Sequence, residues 1–218
     1  MAAVKLLLGV RPTTPNSLCL IELGFPELHC MILKRRIHFI NAFTHNASGD
    51  EPLSLILELC RDAETPMYQK LHIAQEYVGD PEIESMHNLR EKCLQQADSS
   101  TRSSTYLRMN PELTISDIYR NPGAYIPDYL RVAYSRFRLS SHRLRVETGR
   151  WSRIPRELRT CPCTEGVVQD EEHVLFHCEL SSYIRETFGL TQIPMHEFFD
   201  TNYRSVCDLL FHVLELFD

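Results

Sequence analysis

The sequence predicts a mostly α-helical protein: a helical domain, then a small Cys-Cys-His-Cys knuckle, then a C-terminal helix. Three observations predict it. Between residues 26 and 97, apolar residues recur at spacings of three and four in segments separated by Pro and Gly. Cys161, Cys163, His173 and Cys178 fall in the form C-x-C-x9-H-x4-C, which can close around one metal ion. Over residues 203–217, Val206, Leu209, Leu210, Val213, Leu214 and Phe217 supply a C-terminal apolar stripe.

In chain order, residues 1–16 include the turn-forming RPTTPN. Residues 26–45 read as a helix through Leu28, Met31, Ile32, Phe39, Ile40 and Phe43, with Lys34, Arg35 and Arg36 on a solvated face. NASGDEP, at 46–52, breaks it. Helices follow over 53–61, 66–78 and 81–97, with Gly79-Asp80-Pro81 as a stop and restart. The polar SSTRSS at 99–104 reads as a joint. It divides a helical segment, 1–98, from a second part, 99–218, that holds the basic arm, the knuckle and the last helix. Asn121-Pro122-Gly123 marks a turn.

The basic arm follows. Ile126, Leu130, Tyr134 and Phe137 share one helical face, expected in the core, and Arg131, Ser135 and Arg138 share the opposite one. A short helix is expected to open at Ser141 as N-cap and close at Gly149, adding Arg143 and Arg145. Arg150, Arg153, Arg156 and Arg159 then recur every third residue around Trp151 and Pro155, in an extended or turn segment because of the proline.

At 218 residues, 43% hydrophobic and 24% charged, the chain suits one folded domain or two small ones rather than a disordered tail. Net charge is −6, which alone argues against a polyanionic partner, but its distribution reverses that reading. Residues 131–159 hold nine arginines, no lysine and two glutamates, and the remainder holds fourteen basic and twenty-seven acidic residues. A localised cationic surface on an acidic body points to phosphate, and guanidinium offers it a permanent charge and a planar fork of donors. Trp151 could stack on an unpaired base. RNA or single-stranded nucleic acid is therefore the expected partner, with Arg131, Arg138, Arg143, Arg145, Arg150, Trp151, Arg153, Arg156 and Arg159 as its contacts. The competing reading is a structural or protein-interaction module whose arginines pair with the acidic body.

Without a secretory signal or a membrane-length apolar run, the expected setting is intracellular, nuclear or cytoplasmic, with the eight cysteines reduced. Cys19, Cys30, Cys60, Cys93 and Cys207 are scattered and read as small buried hydrophobes. The clustered thiols with His173 suit one structural Zn2+. Pro162 stiffens the turn between Cys161 and Cys163, Gly166 permits the reversal, and Asp170 can cap the helix that presents His173. On an unbroken helix His177 shares a face with His173, so His177 competes with Cys178 as fourth ligand. Catalysis is not expected. His173 and His177 form H-x-x-x-H, but Val174 stands where a metalloprotease has its glutamate, and no phosphate-binding glycine loop, G-x-S-x-G or deaminase H-x-E occurs. No small-molecule substrate is implied.

FRLSSHRLRVETGRWSRIPRELRTCPC followed by DEEHVLFHC resembles the C-terminal region of non-LTR (LINE-type) retrotransposon reverse transcriptases, downstream of the polymerase, which ends in a Cys-Cys-His-Cys zinc knuckle. The early GVRPTTPNSLCLIELGFPEL resembles, more weakly, the linker beyond the polymerase thumb. The resemblance implies Cys161, Cys163, His173 and Cys178 as zinc ligands, favouring Cys178 over His177. It also implies template RNA as partner and a reverse transcriptase acting in trans. The paired catalytic aspartates of the polymerase are absent, since no Asp-Asp occurs. The chain resembles a detached tail that opens with its own methionine.

Overall fold

The computed structural model describes residues 1–47, 51–120 and 125–217. The turn expected at Asn121-Pro122-Gly123, and residues 48–50 of the expected break, lie outside the described residues. The fold is mostly helical, and among the described residues the one β-bridge is an antiparallel pairing of Thr160 with Val168. None of the helices is long and apolar enough to cross a membrane, among the described residues.

The chain divides into two compact units, residues 25–89 and residues 1–24 with 90–218. This differs from the division expected at 98/99. The reason is chemical: Ser100 accepts from the backbone N–H of Ser103 (3.3 Å) and so caps a helix over Thr101–Met109. Ser103, Thr105, Tyr106 and Met109 of that helix are buried. The serine-rich joint is thus the first turn of a packed helix.

The 25–89 unit contains α3 (Leu28–Ala47), α4 (Glu51–Asp62) and α5 (Pro66–Gln75), with α3 packed on both of the others. Helix α6 (Pro81–Gln95) carries the cut between the units. Lys34, expected on a solvated face, bridges Asp80 and Glu82 at 2.8 and 2.7 Å.

The other unit begins with two helices that the turn-rich N-terminus did not announce, α1 (Ala2–Leu8) and α2 (Asn16–Leu23). It continues through α7 (Thr101–Met109), α8 (Asp117–Arg120), α9 (Asp128–Arg138) and α10 (Arg145–Trp151), and ends in α11 (Ser182–Phe188), α12 (Met195–Phe199) and α13 (Tyr203–Phe217). The core is built on the α9–α13 pair. Leu130, Ala133, Tyr134 and Phe137 of α9 meet Val206, Leu209, Leu210, Val213 and Leu214 of α13, and the same cluster takes in Val174 and Leu175 from the knuckle. The helix expected to carry the basic arm is therefore the central helix of the core.

Its polar stripe is a second buried face. Helix α9 also packs on α1, where Gly9 has no room for a side chain: a Cβ there would lie 2.6 Å from Val132. Ser135 and Arg138 are buried as fully as the apolar residues. The helix expected to open at Ser141 begins instead at Arg145, because Ser141 Oγ is occupied, accepting from the backbone N–H of Arg11 at 2.8 Å. Gly149, expected to close that helix, lies inside it, where the Arg159 side chain crosses so closely that a Cβ would come within 2.6 Å of Arg159 Cγ.

Candidate metal centre and arginine segment

Backbone hydrogen bonds position the side chains of the cysteine–histidine cluster. Cys161 N–H donates to Val167 O (2.7 Å) and Gln169 N–H to Arg159 O (2.9 Å), closing the reversal that contains Cys161 and Cys163. Asp170 then caps the next helix, accepting from His173 N–H at 3.1 Å. That helix changes pitch. In an α-helix Cys178 N–H would donate to Val174 O, but Ser181 Oγ donates there at 2.6 Å. Cys178 N–H turns to His173 O (2.8 Å), and residues 173–177 form one π-turn. An i→i+5 closure carries Cys178 towards His173, and the extended backbone at Cys178 (ψ 128°) completes the turn inward.

The ligand atoms of Cys161, Cys163, His173 and Cys178 consequently lie within 4.8 Å of one another. Cys161 Sγ is 3.6 Å from Cys178 Sγ, and Cys163 Sγ is 3.2 Å from His173 Nε2. Three thiols and an imidazole so placed could hold a metal ion. His177, the competing fourth ligand, is exposed and outside the cluster. Burial pushes the Cys161 thiol up to about 12. At Cys163 burial acts in the same sense, but hydrogen bonds from the Cys161 and Cys178 thiols outweigh it and lower its pKa. Burial holds His173 below its ordinary value, favouring the neutral ring that a metal requires.

Around this cluster Gln169 Nε2 donates to Cys161 Sγ at 3.7 Å, while its Oε1 accepts from Arg145 N–H at 2.8 Å. Beneath it Glu171, fully buried, accepts from Ser140 Oγ (2.9 Å) and lies 2.9 Å from His142 Nε2. Burial alone would raise the Glu171 pKa; the bonds from His142 and Ser140 overcome it and hold it at about 2. Nothing in the spacing of the ligands announced these supporting groups.

The arginines are distributed less simply than the sequence suggests. Four pair with carboxylates: Arg131 with Asp128 (3.1 Å), Arg138 with Glu22 (2.8 Å), Arg150 with Glu147 (2.9 Å) and Arg156 with Asp170 (2.7 Å). Arg138, expected at phosphate, is 3% exposed and committed to Glu22; burial opposes its charge, and Glu22 outweighs burial and raises its pKa. Arg159 spends its guanidinium on Ile154 O and Val146 O. Arg145 gives one bond to Thr160 O and is otherwise exposed, as is Arg136, which donates to Gly9 O. The guanidiniums of Arg143 and Arg153 are exposed and have no partner among the described residues. Trp151 is half exposed, with the Arg11 guanidinium 4.2 Å over its ring.

Reading the sequence missed Glu22, Arg11 and Glu147. A glutamate inside the apolar run LCLIEL is a signal that could have found the first, because a charge in such surroundings needs a buried partner.

Fold and site together define a class: a mostly helical protein whose arginine-rich segment leads into a Cys-Cys-His-Cys cluster that could hold a metal ion. Compared with family models, curated proteins and solved structures, the chain matches none of them.

Proposed function

We propose that this protein binds RNA or single-stranded nucleic acid without catalysis, and that its cysteine–histidine cluster holds one structural zinc. The observation that carries the reading is the pinned but incompletely neutralised arginine segment. Arg143 and Arg153 are free of partners among the described residues, and Arg136 and Arg145 each retain free donors. They are set on a backbone that the metal cluster would hold rigid. Zinc suits the donor set. A tetrahedral ion with Zn–S of about 2.3 Å and Zn–N of about 2.0–2.1 Å gives ligand–ligand edges of roughly 3.6–3.8 Å, against the 3.6 and 3.2 Å found for two of them. Four protein ligands make a closed, structural site rather than an open catalytic one. The resemblance to the tail of non-LTR reverse transcriptases supports the same reading, with template RNA as the ligand and the polymerase supplied in trans.

A second reading has its own observation. Arg131, Arg138, Arg150 and Arg156 are engaged by the protein's own carboxylates, as a structural or protein-interaction module requires. Titration of the purified protein with RNA, single-stranded DNA and duplex DNA at several salt concentrations separates the two. Saturable binding of single strands that weakens with salt supports the first; no binding at the lowest salt leaves the interaction module.

A further inference from the structure

A cleft of about 460 Å³ opens beside the arginine segment, within the roughly 300–1,000 Å³ typical of small-ligand pockets. Arg11, Arg136 and Arg143 line it together with Trp151, while Val10 and Leu214 add apolar wall, and no acidic residue is among its lining. Its cationic character continues behind the wall. Buried Glu147 is shared by three guanidiniums, those of Arg102 (2.6 Å), Arg150 (2.9 Å) and Arg11 (3.5 Å). One carboxylate facing three guanidiniums leaves positive charge unbalanced in a partly desolvated place, where such charge is costly.

Two further features are unfinished. Arg11 Nε and Nη1 are buried with no hydrogen-bond partner, the guanidinium lying over one face of the Trp151 ring at 4.2 Å. His142, also in the lining and with a side chain 0% exposed, lies against Glu171 through Nε2 and leaves Nδ1 buried and unpartnered. An unsatisfied buried polar atom is unusual enough to need a cause. Trp151 presents a half-exposed aromatic ring at the same cleft, and aromatics beside cations are what single-strand binders use to stack a base.

We infer that this cleft is the seat of one nucleotide unit of a single strand, its phosphate on the guanidiniums of Arg136 and Arg143 with Arg11 behind, its base against Trp151. The inference rests on the nucleic-acid reading above and deepens it: the principal contact includes Arg11, far outside the arginine-rich segment.

Trp151 is the only tryptophan of the chain, so its emission reports this cleft directly. The zinc-loaded protein is titrated with octauridylate, with octathymidylate and with inorganic tripolyphosphate at matched ionic strength, and filter binding of the same oligonucleotides is measured in parallel. The expected result is saturable quenching by the oligonucleotides at the concentrations that give filter binding. Arg143→Glu is expected to weaken both by tenfold or more with an unchanged melting temperature, since that guanidinium has no partner among the described residues. Trp151→Ala, read by filter binding, is expected to cost roughly fivefold or more, the lower end of a base-stacking contribution. Filter binding without quenching, and with Arg143→Glu equal to the parent, overturns the cleft and leaves the nucleic-acid reading standing. Quenching by tripolyphosphate with no oligonucleotide binding overturns both and marks an anion site only. No binding of any probe at low salt likewise removes both.

Discussion

Arg138 and Glu22 are 116 residues apart in sequence and form a buried pair, with Tyr106 donating to the same carboxylate at 2.8 Å. The Arg138 guanidinium also lies 4.9 Å from the Phe199 ring centre. Removing one partner of a buried pair strands the other charge, so Arg138→Ala is expected to destabilise the protein by about 3–5 kcal/mol. Replacing both, as Glu22→Leu with Arg138→Met, should cost clearly less than the two single changes added, a coupling measurable by denaturant unfolding of the four proteins. Arg143→Ala should stay within about 0.5 kcal/mol of the parent. Sequence shows that both residues are arginine; it does not show that one has a carboxylate waiting in α2. Arg153 illustrates another limit. It ends α10 with φ 55°, Ile154 N–H donating back to Gly149 O at 2.8 Å, in the position helices usually give to glycine. The left-handed conformation costs an L-residue about 1–2 kcal/mol. Arg153→Gly is accordingly expected to leave stability equal or higher while weakening oligonucleotide binding. Lower stability would show that the side chain is structural.

At the scale of the element, the knuckle was legible in its ligands and not in its geometry. The spacing named Cys161, Cys163, His173 and Cys178, but helical period alone left His177 in contention. The π-turn that brings Cys178, and not His177, into the cluster goes with Ser181 taking the Val174 carbonyl, and with burial of Val174 and Leu175, both 0% exposed. Neither influence belongs to the local pattern of residues 173–178. Cys178→Ser should therefore lower zinc retention far more than His177→Ala, measured by competition with a chromophoric chelator; the reverse order would mean that the turn relaxes to an α-helix when metal binds. Because Val174 and Leu175 sit in the same core as α9 and α13, stripping the metal should reach beyond the knuckle. Amide exchange is expected to accelerate over residues 159–180 and then in α13, while α3, packed on α4 and α5 in the other unit, keeps its protection. Metal analysis of reduced protein should find one zinc per chain. The helices of residues 26–97 were visible through their periodicity, whereas α1 and α2 are short and flank the turn-forming RPTTPN, and α7 opens in the Ser-rich SSTRSS, so that their packing is a tertiary fact.

Over the whole molecule, charge sets what the arginines can do. Twenty-seven acidic residues lie outside residues 131–159, and Glu22, Asp128 and Asp170 are among those that reach back to the segment. The sequence predicted asymmetry correctly as a count but not as a surface, because pairing removes guanidiniums one at a time. On the proposed function, the arginines of the segment that have exposed donors and no carboxylate partner among the described residues, Arg136, Arg143, Arg145 and Arg153, would set the salt dependence. Each neutralised phosphate of a single strand contributes a log–log slope of about −0.7, so four contacts give about −3. Replacing Arg143, Arg145 and Arg153 together by alanine should flatten that slope by about two with little effect on folding. Replacing Arg150 and Arg156 should do the opposite, lowering stability through Glu147 and Asp170 and hardly changing the slope. A slope that responds to Arg150 and Arg156 instead would mean that nucleic acid displaces the internal carboxylates, making binding an exchange of partners. An affinity independent of salt would remove phosphate from the account altogether and return the segment to its role inside the fold.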